Sequence, residues 1–508
     1  MSQPIQRLIA IARECWPFTA SDGQVFVRLP WPSAKGAAIL PLRSTDWRDW
    51  FFYRVYAEHD FVPSTHAFQA ILNLLEALAS ADCERQRLAV FRRVGVRWEG
   101  PTPGMLLLDL ANPEGQLVEM SPDGWKTTNS SGTHTLFQVS RSTWSIPAPV
   151  SSPAESPAPR PLETLRSCLN LSSRADWLRV LAWLLAAFRP FGSCPFLILQ
   201  GPPSSGTRAL ASKTIAASIL RCLIDPSTVL LSPIPSTVHD LLNLARHNWV
   251  LAFDQVSTFS PPLVDALCRL SSGIGAAVRE TSRPTTQPLL QHYMRPVLLA
   301  VTPRWSCPRG IAERAITVTF PPLPPASRTP ESVLFGTFYG AWPAILGELC
   351  SAVSTALRRL PEMDRPSGKC PDPLTWALAA SPALGCTEEE IERALGPQPS
   401  PHPMAEAVRA LLEQRRQWTG TATELLELLQ PLVHCQTPKG VSQELKSCVL
   451  TLADYGIELK FRRLPGGNRV IDLSEEVCDA SFPQNAQDAS QNPDPSPQPA
   501  ETEEVKTS

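Results

Sequence analysis

Residues 196–214 read FLILQGPPSSGTRALASKT, an apolar strand followed by a glycine-rich turn and the start of a helix. Such a turn binds phosphate because backbone N–H groups converge at the positive N-terminus of the helix. The phosphate-loop pattern G-x-x-x-x-G-K-[ST] places a Lys and a Ser/Thr directly after its second Gly. Here Thr207 and Arg208 follow Gly206. The stretch is either a phosphate loop without its usual cation and metal ligand or a turn without phosphate chemistry.

The candidate phosphate contacts follow from this frame. They are Gly201, Ser204, Ser205, Gly206, Thr207 and Arg208. The nearest Lys is Lys213. If the helix begins at Thr207, Lys213 lies about two turns further, roughly 10 Å along the axis. We therefore expect Lys213 to be too distant to replace the missing Lys.

The second candidate element is the strand NWVLAFDQVS, residues 248–257. Apolar strands alternate with helical segments from residue 164 onward, which predicts a parallel α/β sheet. A carboxylate at the end of a strand beside a phosphate loop holds Mg²⁺ through water, and Asp254 has that position. Gln255 follows it, and a Gln can position water but cannot accept its proton. The alternative for Asp254 is a turn or helix cap. The sequence indicates no other metal site.

The third strand is RPVLLAVTP, residues 295–303. Thr302 could contact a γ-phosphate from its tip, whereas Ala300 could not. Arg309 and Arg314 precede a further strand, and an Arg there can reach a phosphate in its own or a neighbouring subunit. The alternative for these arginines is a solvated side chain or a pair with Glu313.

The C-terminal region reads as three helices followed by a hairpin, IELKFRRLPGGNRVIDL, residues 457–473. This order predicts a winged helix, whose third helix enters the major groove while the wing contacts the DNA backbone. Six basic residues fall on that helix and wing: Lys439, Lys446, Lys460, Arg462, Arg463 and Arg469. The alternative is a winged helix that contacts protein.

Proline-rich segments suggest the domain boundaries, since 53 of the 508 residues are Pro. The fold class is multi-domain α/β with a phosphate-loop-like core. The predicted order is an N-terminal α+β domain at 1–141, a linker at 142–163, the core at 164–325, a helical extension at 326–396, the winged helix at 404–474 and a disordered acidic tail at 481–508.

Composition excludes some classes. A net charge of −2 gives no global basic field, so DNA must be bound by a local patch. Thirteen dispersed Cys residues, with no metal-type spacing, indicate reduced thiols. The chain shows no signal peptide and no run of 18 apolar residues. We expect a cytoplasmic protein without membrane contact.

Four segments resemble a family of ATP-binding proteins of phages and mobile elements, similar to primase-associated helicases of the superfamily 3/AAA+ kind. They cover residues 176–207, 240–280, 295–305 and 313–325, with WVLAFDQVS as the most specific phrase. Gly201 and Asp254 match the family pattern. Basic positions are matched by Arg246, Arg279, Arg295 and Arg314. Thr207, Arg208 and Ala300 depart from it, where the family has the loop Lys, the loop Ser/Thr and a sensor Asn.

The resemblance implies a replication-type DNA-binding protein that uses ATP and Mg²⁺, with a hexameric ring implied by family alone. The three departures predict weak or absent ATP hydrolysis, with Asp254, Gln255 and Arg314 as the remaining candidate catalytic residues. Two alternatives stay open. One is an active ATP-dependent helicase or translocase in which Arg208 or a partner's Arg supplies the charge. The other is a DNA-binding scaffold that uses no nucleotide.

Overall fold

A computed structural model describes most of the chain. The described residues are 3–29, 38–81, 88–100, 102–129, 135–138, 140, 142–151, 160–171, 173–201, 211–273, 276–278, 289–291, 294–303, 305–321, 329–363, 372–396, 403–429, 437–463 and 469–475. The chain divides into two compact units, Met1–Gln398 and Pro399–Ser508.

The first unit opens with three helices around a small antiparallel sheet of order β1-β2-β3. These elements are α1 (Gln3–Glu14), β1 (Trp16–Thr19), β2 (Val25–Leu29), β3 (Ala38–Pro41), α2 (Thr45–His59) and α3 (Thr65–Ala81). The Ser44 hydroxyl accepts the Trp47 N–H at 3.1 Å, and the Ser64 hydroxyl accepts the Ala67 N–H at 3.2 Å. Ser44 and Ser64 therefore cap the N-termini of α2 and α3.

An antiparallel meander follows, with strand order β5-β6-β7-β8. The strands of this region are β4 (Val90–Phe91), β5 (Val94–Glu99), β6 (Thr102–Asp109), β7 (Gln116–Ser121), β8 (Gly124–Asn129) and β9 (Leu136–Phe137), and β4 pairs with β9. Turns at 112–115 and 121–124 join β6 to β7 and β7 to β8. Gly124, with φ 137°, permits the second turn.

A four-stranded parallel sheet of order β11-β14-β10-β15 forms the centre of the first unit. Its strands are β10 (Phe196–Gln200), β11 (Leu251–Val256), β14 (Val297–Val301) and β15 (Ala315–Thr319). A short antiparallel pair, β12 (Ala276–Val278) and β13 (Leu289–Gln291), lies between them in sequence. The predicted parallel sheet is confirmed. Its strands read as continuous apolar runs because both faces of the sheet are buried.

The first unit has nine further α-helices among its described residues. They are α4 (Pro161–Cys168), α5 (Arg174–Ala187), α6 (Ala211–Ile224), α7 (Val238–His247), α8 (Pro261–Ser272), α9 (Arg309–Ala312), α10 (Glu331–Arg359), α11 (Pro373–Leu384) and α12 (Glu388–Leu395). Of the described helices, the one over residues 331–362 is long and apolar enough to cross a membrane by length and composition. Its residues Phe338, Ile345 and Leu349 are fully buried in the core of the first unit.

The meander and the parallel sheet share one hydrophobic core. Val94, Leu106 and Val118 of the meander belong to the same buried cluster as Leu184 and Leu220. The start of the predicted linker also packs there, because Ile146 is 1% exposed and its N–H donates to the Leu110 carbonyl at 2.8 Å. The boundary at 141 stays a prediction, and residues on both of its sides pack together.

The second unit has its own core. Its elements are α13 (Pro403–Arg415), β16 (Gln417–Gly420), α14 (Ala422–Leu429), α15 (Pro438–Ser447), α16 (Val449–Asp454), β17 (Ile457–Arg463) and β18 (Arg469–Glu475). They form an antiparallel sheet of order β16-β18-β17 under the helices. The single third helix expected from sequence is divided at Cys448 into α15 and α16. The predicted tail at 481–508 lies outside the described residues.

Candidate functional site

The candidate site lies at the carboxyl edge of the parallel sheet. Parallel strands end at one edge, so Gly201 after β10, Asp254 in β11 and Thr302 after β14 are brought to the same side. A Cβ on Gly201 would lie 2.9 Å from the Phe320 carbonyl oxygen. Only Gly lets the chain leave β10 this close to the end of the neighbouring strand.

Asp254 is held by a side chain from α6. The Thr214 hydroxyl donates to the Asp254 carboxylate, with 3.0 Å to Oδ2 and 3.3 Å to Oδ1. The register with β14 is irregular between Phe253 and Val256, so Asp254 and Gln255 form a bulge that re-aims side chains. The Gln255 N–H donates to Asp254 Oδ1 at 2.8 Å, and Gln255 has the left-handed φ of 53°. A non-glycine residue in this region carries backbone strain, which is common next to functional sites.

Lys213 is buried beside this pair. It is 8% exposed, and its Nζ donates to the Val301 carbonyl at the end of β14 at 2.7 Å. Burial lowers the pKa of Lys213, while the nearby Asp254 carboxylate raises it. Among the described residues no carboxylate forms an ion pair with Lys213, and burying an ammonium in this way is costly.

The expectation that Lys213 is too distant from the loop to replace the missing Lys stays a prediction, because residues 202–210 lie outside the described part of the chain. That expectation counted helical turns from Thr207 and placed Lys213 away from the site. In the structure, Lys213 and Thr214 lie in the first described turn of α6, where they reach the ends of β14 and β11. The remaining loop candidates, Ser204 to Arg208, lie outside the described residues.

The chemistry of these residues fits a magnesium-bound triphosphate. A Thr hydroxyl and a carboxylate at hydrogen-bond distance supply two of the oxygen ligands that Mg²⁺ takes at a phosphate loop. The ammonium of Lys213 supplies the point charge for phosphate oxygens. Asp254, predicted as the metal-holding acid, is thus hydrogen-bonded to the Thr214 hydroxyl, and its role toward a metal stays a prediction.

Thr302 follows Val301, whose carbonyl accepts a hydrogen bond from Lys213. Its hydroxyl is buried and has no hydrogen-bond partner among the described residues, while its N–H donates to the Val256 carbonyl at 2.8 Å. Ala300 is 2% exposed within β14 and offers no polar group. That Thr302, and not Ala300, contacts a γ-phosphate from this strand tip remains a prediction. The Thr302 hydroxyl lies at the tip where such a contact would form.

Arg314 lies at the opposite edge of the sheet. Its carbonyl accepts the Phe196 N–H at 2.9 Å, at the amino end of β10. The five-residue strand separates it from Gly201 by roughly 16 Å. Arg314 therefore does not reach a phosphate at the carboxyl edge of its own chain, and a role toward a neighbouring subunit stays a prediction. Arg309 forms an ion pair with Glu313 at 2.8 Å, which agrees with the alternative given for it in the sequence analysis.

The other basic residues that match the family resemblance lie in different environments. Arg295 is 8% exposed, donates to the Ala245 carbonyl at 2.8 Å and lies over the Trp249 ring at 5.5 Å. It therefore stabilises the packing at the amino edge. Arg246 belongs to the last turn of α7, and Arg279 lies outside the described residues.

The six candidate DNA contacts of the second unit fall on two surfaces. We define the helix-side surface as Lys439, Lys446, Arg463 and Arg469. Lys439 and Lys446 are exposed on α15 and share a face with Gln443, since their spacing is i, i+4 and i+7. Arg463 is opposite Arg469 across the hairpin, on the strand face that also carries Ile457.

Lys460 and Arg462 point to the other face of the sheet. Lys460 pairs with Glu458 at 2.6 Å, and Arg462 forms a bidentate pair with Asp472, with 2.9 Å for its second contact. The hydrogen bonds from Arg462 lower the pKa of Asp472. These two cations are therefore paired with carboxylates, and their role as phosphate contacts stays a prediction.

Family models match both units. Residues 162–367 match the model described as actinomycete integrative conjugative element replication protein, and residues 404–487 match the model described as AICE RepA C-terminal domain. These two stretches are therefore similar to domains of mobile-element replication proteins. The matches confirm the expected link to mobile-element replication. They do not test the expected loss of the phosphate-loop residues.

Two solved structures give weak likenesses. One is a JCV helicase bound to an acetamide compound, with 13% identity, TM-score 0.23, and coverage of 45% of this chain and 74% of that chain. The other is the A-form apo structure of the NrS-1 C-terminal region, with 7% identity, TM-score 0.36, and coverage of 92% and 99%. With TM-scores this low, neither likeness bears on fold or function. No curated protein matches the chain.

Proposed function

We propose that the chain is an ATP-dependent, DNA-binding replication protein whose core binds ATP·Mg²⁺ at the carboxyl edge of its parallel sheet. The observation that carries the proposal is the 3.0 Å hydrogen bond between Thr214 and Asp254, with the buried Lys213 beside it. In this proposal Lys213 and Thr214 are the Lys and Ser/Thr of the phosphate loop. Lys213 follows Gly206 by seven residues rather than one, so the spacing differs from the usual pattern.

Each residue has a separate task. Lys213 binds phosphate oxygens with its ammonium, and Thr214 and Asp254 hold the metal, which neutralises charge that develops on the phosphates. Gly201 lets the backbone approach the ligand. Thr302 hydrogen-bonds from the tip of β14 at the side of Lys213.

Gln255 favours slow hydrolysis. It follows the metal-holding Asp254, where a residue that orients the attacking water is needed, and its amide can orient water without accepting a proton. An ATP-binding protein with little turnover is therefore the second candidate. The proposal also includes a helicase or translocase activity and a ring of subunits completed by Arg314, both of which the resemblance implies. It further includes a cytoplasmic location.

The proposal predicts that ATP·Mg²⁺ stabilises the full-length protein against heat. Only the folded state offers the Lys213–Thr214–Asp254 site, so ligand at 100 times its Kd should add about 2.7 kcal/mol to the free energy of unfolding. A thermal-shift series with ATP, with and without Mg²⁺, measures this. An unchanged melting temperature at millimolar ATP·Mg²⁺ would contradict nucleotide binding and leave the DNA-binding scaffold.

For DNA, we propose that the second unit acts as a winged helix with α15 as the groove-binding helix and β17–β18 as the wing. The double variant Arg463→Ala/Arg469→Ala should reduce the slope of log affinity against log salt by about 2, because two phosphate contacts are lost. The matched control is Lys460→Ala/Arg462→Ala, whose cations are paired with carboxylates and should leave the slope nearly unchanged. Equal effects of both variants would show that the helix-side surface is not the DNA contact.

A further inference from the structure

Phe461 is an exposed aromatic side chain on the helix-side surface, with 42% of its area accessible. It lies on β17 two residues after Leu459 and four after Ile457, and therefore on the strand face that those residues turn toward the core. Its ring lies at the point where this strand face extends beyond the core and is exposed to solvent.

Cations surround this ring. The Lys446 ammonium lies 5.4 Å from the ring centroid, and Arg463 follows on the same strand face, opposite Arg469. Among the described residues, neither of these arginines has an ion-pair partner. The acidic partners Glu458 and Asp472 lie on the other face, with Lys460 and Arg462. An exposed aromatic face is thus combined with uncompensated positive charge.

This combination suits one class of ligand. A nucleotide offers a flat base for the ring and a phosphate for the cations, and base–aromatic stacking with backbone cations is how proteins hold unpaired strands. An apolar protein segment would have to remove water from the Lys446 and Arg463 charges without compensation. In a duplex the base faces are already stacked, and only base edges are accessible in the grooves.

We propose that Phe461 stacks on an unpaired base of DNA while Lys446, Arg463 and Arg469 bind the flanking phosphates. The Lys446 stem is flexible enough to move its ammonium from the ring to a phosphate when the base arrives. The proposal rests on the DNA binding proposed above and adds a preference for DNA with an unpaired segment.

The test measures binding of the full-length protein to an oligothymidylate and to a blunt duplex of the same length by fluorescence anisotropy. Phe461→Ala should weaken single-strand binding about tenfold and leave duplex binding unchanged. Phe461→Trp should keep single-strand affinity, and its fluorescence should be quenched by the oligothymidylate. Tyr53→Ala, at an aromatic side chain that is 70% exposed in the first unit, should change neither affinity.

The outcomes separate the two proposals. If Arg463→Ala/Arg469→Ala weakens binding to both DNAs while Phe461→Ala weakens neither, or weakens both equally, stacking is overturned and the DNA surface stands. If the wild type binds neither DNA, the proposed DNA function itself falls.

Discussion

Lys213→Ala is expected to lower ATP turnover on the order of 10²- to 10³-fold. Removing one preorganised charge from a phosphoryl-transfer site has an effect of this size. The Lys213 ammonium is buried at the carboxyl edge and bound to the Val301 carbonyl, so its position there is fixed. Steady-state phosphate release with single-stranded DNA present measures the loss.

Arg208→Ala is the matched control for this experiment. Arg208 occupies the second position after Gly206, where the usual pattern has its Ser/Thr, and it is the alternative source of positive charge. In our proposal this variant keeps most of the turnover. A large loss in Arg208→Ala together with normal turnover in Lys213→Ala would contradict the assignment of the phosphate-loop Lys to position 213.

The second large effect concerns stability. Asp225 is a buried carboxylate that joins several parts of the first unit, and Asp225→Ala should lower the free energy of unfolding by about 3–5 kcal/mol. It accepts the Trp249 and Val250 N–H groups at 2.7 and 3.0 Å and pairs with Arg93 at 3.2 Å and Arg221 at 3.5 Å. Its removal leaves two buried guanidinium groups without their anion.

The pKa of Asp225 gives the pH dependence. Burial raises this pKa. Arg221, Arg93 and the two N–H groups together lower it by more than burial raises it, so the pKa lies below the ordinary value of 3.8. The stabilisation by the ionised carboxylate is therefore present at neutral pH and is lost as the pH falls below about 4 through the lowered pKa.

Denaturant unfolding of the first unit measures the effect. The control is Asp265→Ala, because Asp265 pairs with Arg269 at 3.0 Å on the surface, with 65% and 55% of the side chains exposed. That pair should contribute less than about 1 kcal/mol. Similar midpoints for the two variants would contradict the role of Asp225 as a buried anchor.

Arg93 shows why the N-terminal boundary was hard to predict. It has the left-handed φ of 60° and donates to the Asp109 and Trp144 carbonyls as well as to Asp225. A proline-rich segment predicts a linker by composition, but composition does not report which of its residues pack. Trp144 and Ile146 are held by such long-range contacts.

The parallel sheet was predictable because a strand buried on both faces reads as a continuous apolar run. Asp254 followed from the same run, since it stands where the run ends. The sequence analysis considered Lys213 but not Thr214, because the fixed spacing of the phosphate-loop pattern directed attention to Thr207 and Arg208. The two residues are a Lys-Thr dipeptide within α6, in the apolar stretch KTIAASIL, residues 213–220.

The charges of the second unit show another limit of sequence reasoning. Lys460, Arg462 and Arg463 are adjacent in sequence and look equivalent. The alternation of β17 places the first two on the face with Asp472, which comes from β18 and compensates Arg462. A local run of basic residues therefore overstates the free positive charge of a hairpin.

The central claim is that Lys213 and Thr214 hold the triphosphate and its metal. Its most direct test is the thermal shift with ATP·Mg²⁺ on two double variants, Lys213→Ala/Thr214→Ala and Thr207→Ala/Arg208→Ala. The account predicts that the first variant loses the stabilisation by ATP·Mg²⁺ and the second keeps it. A shift that survives in the first variant and disappears in the second would contradict it.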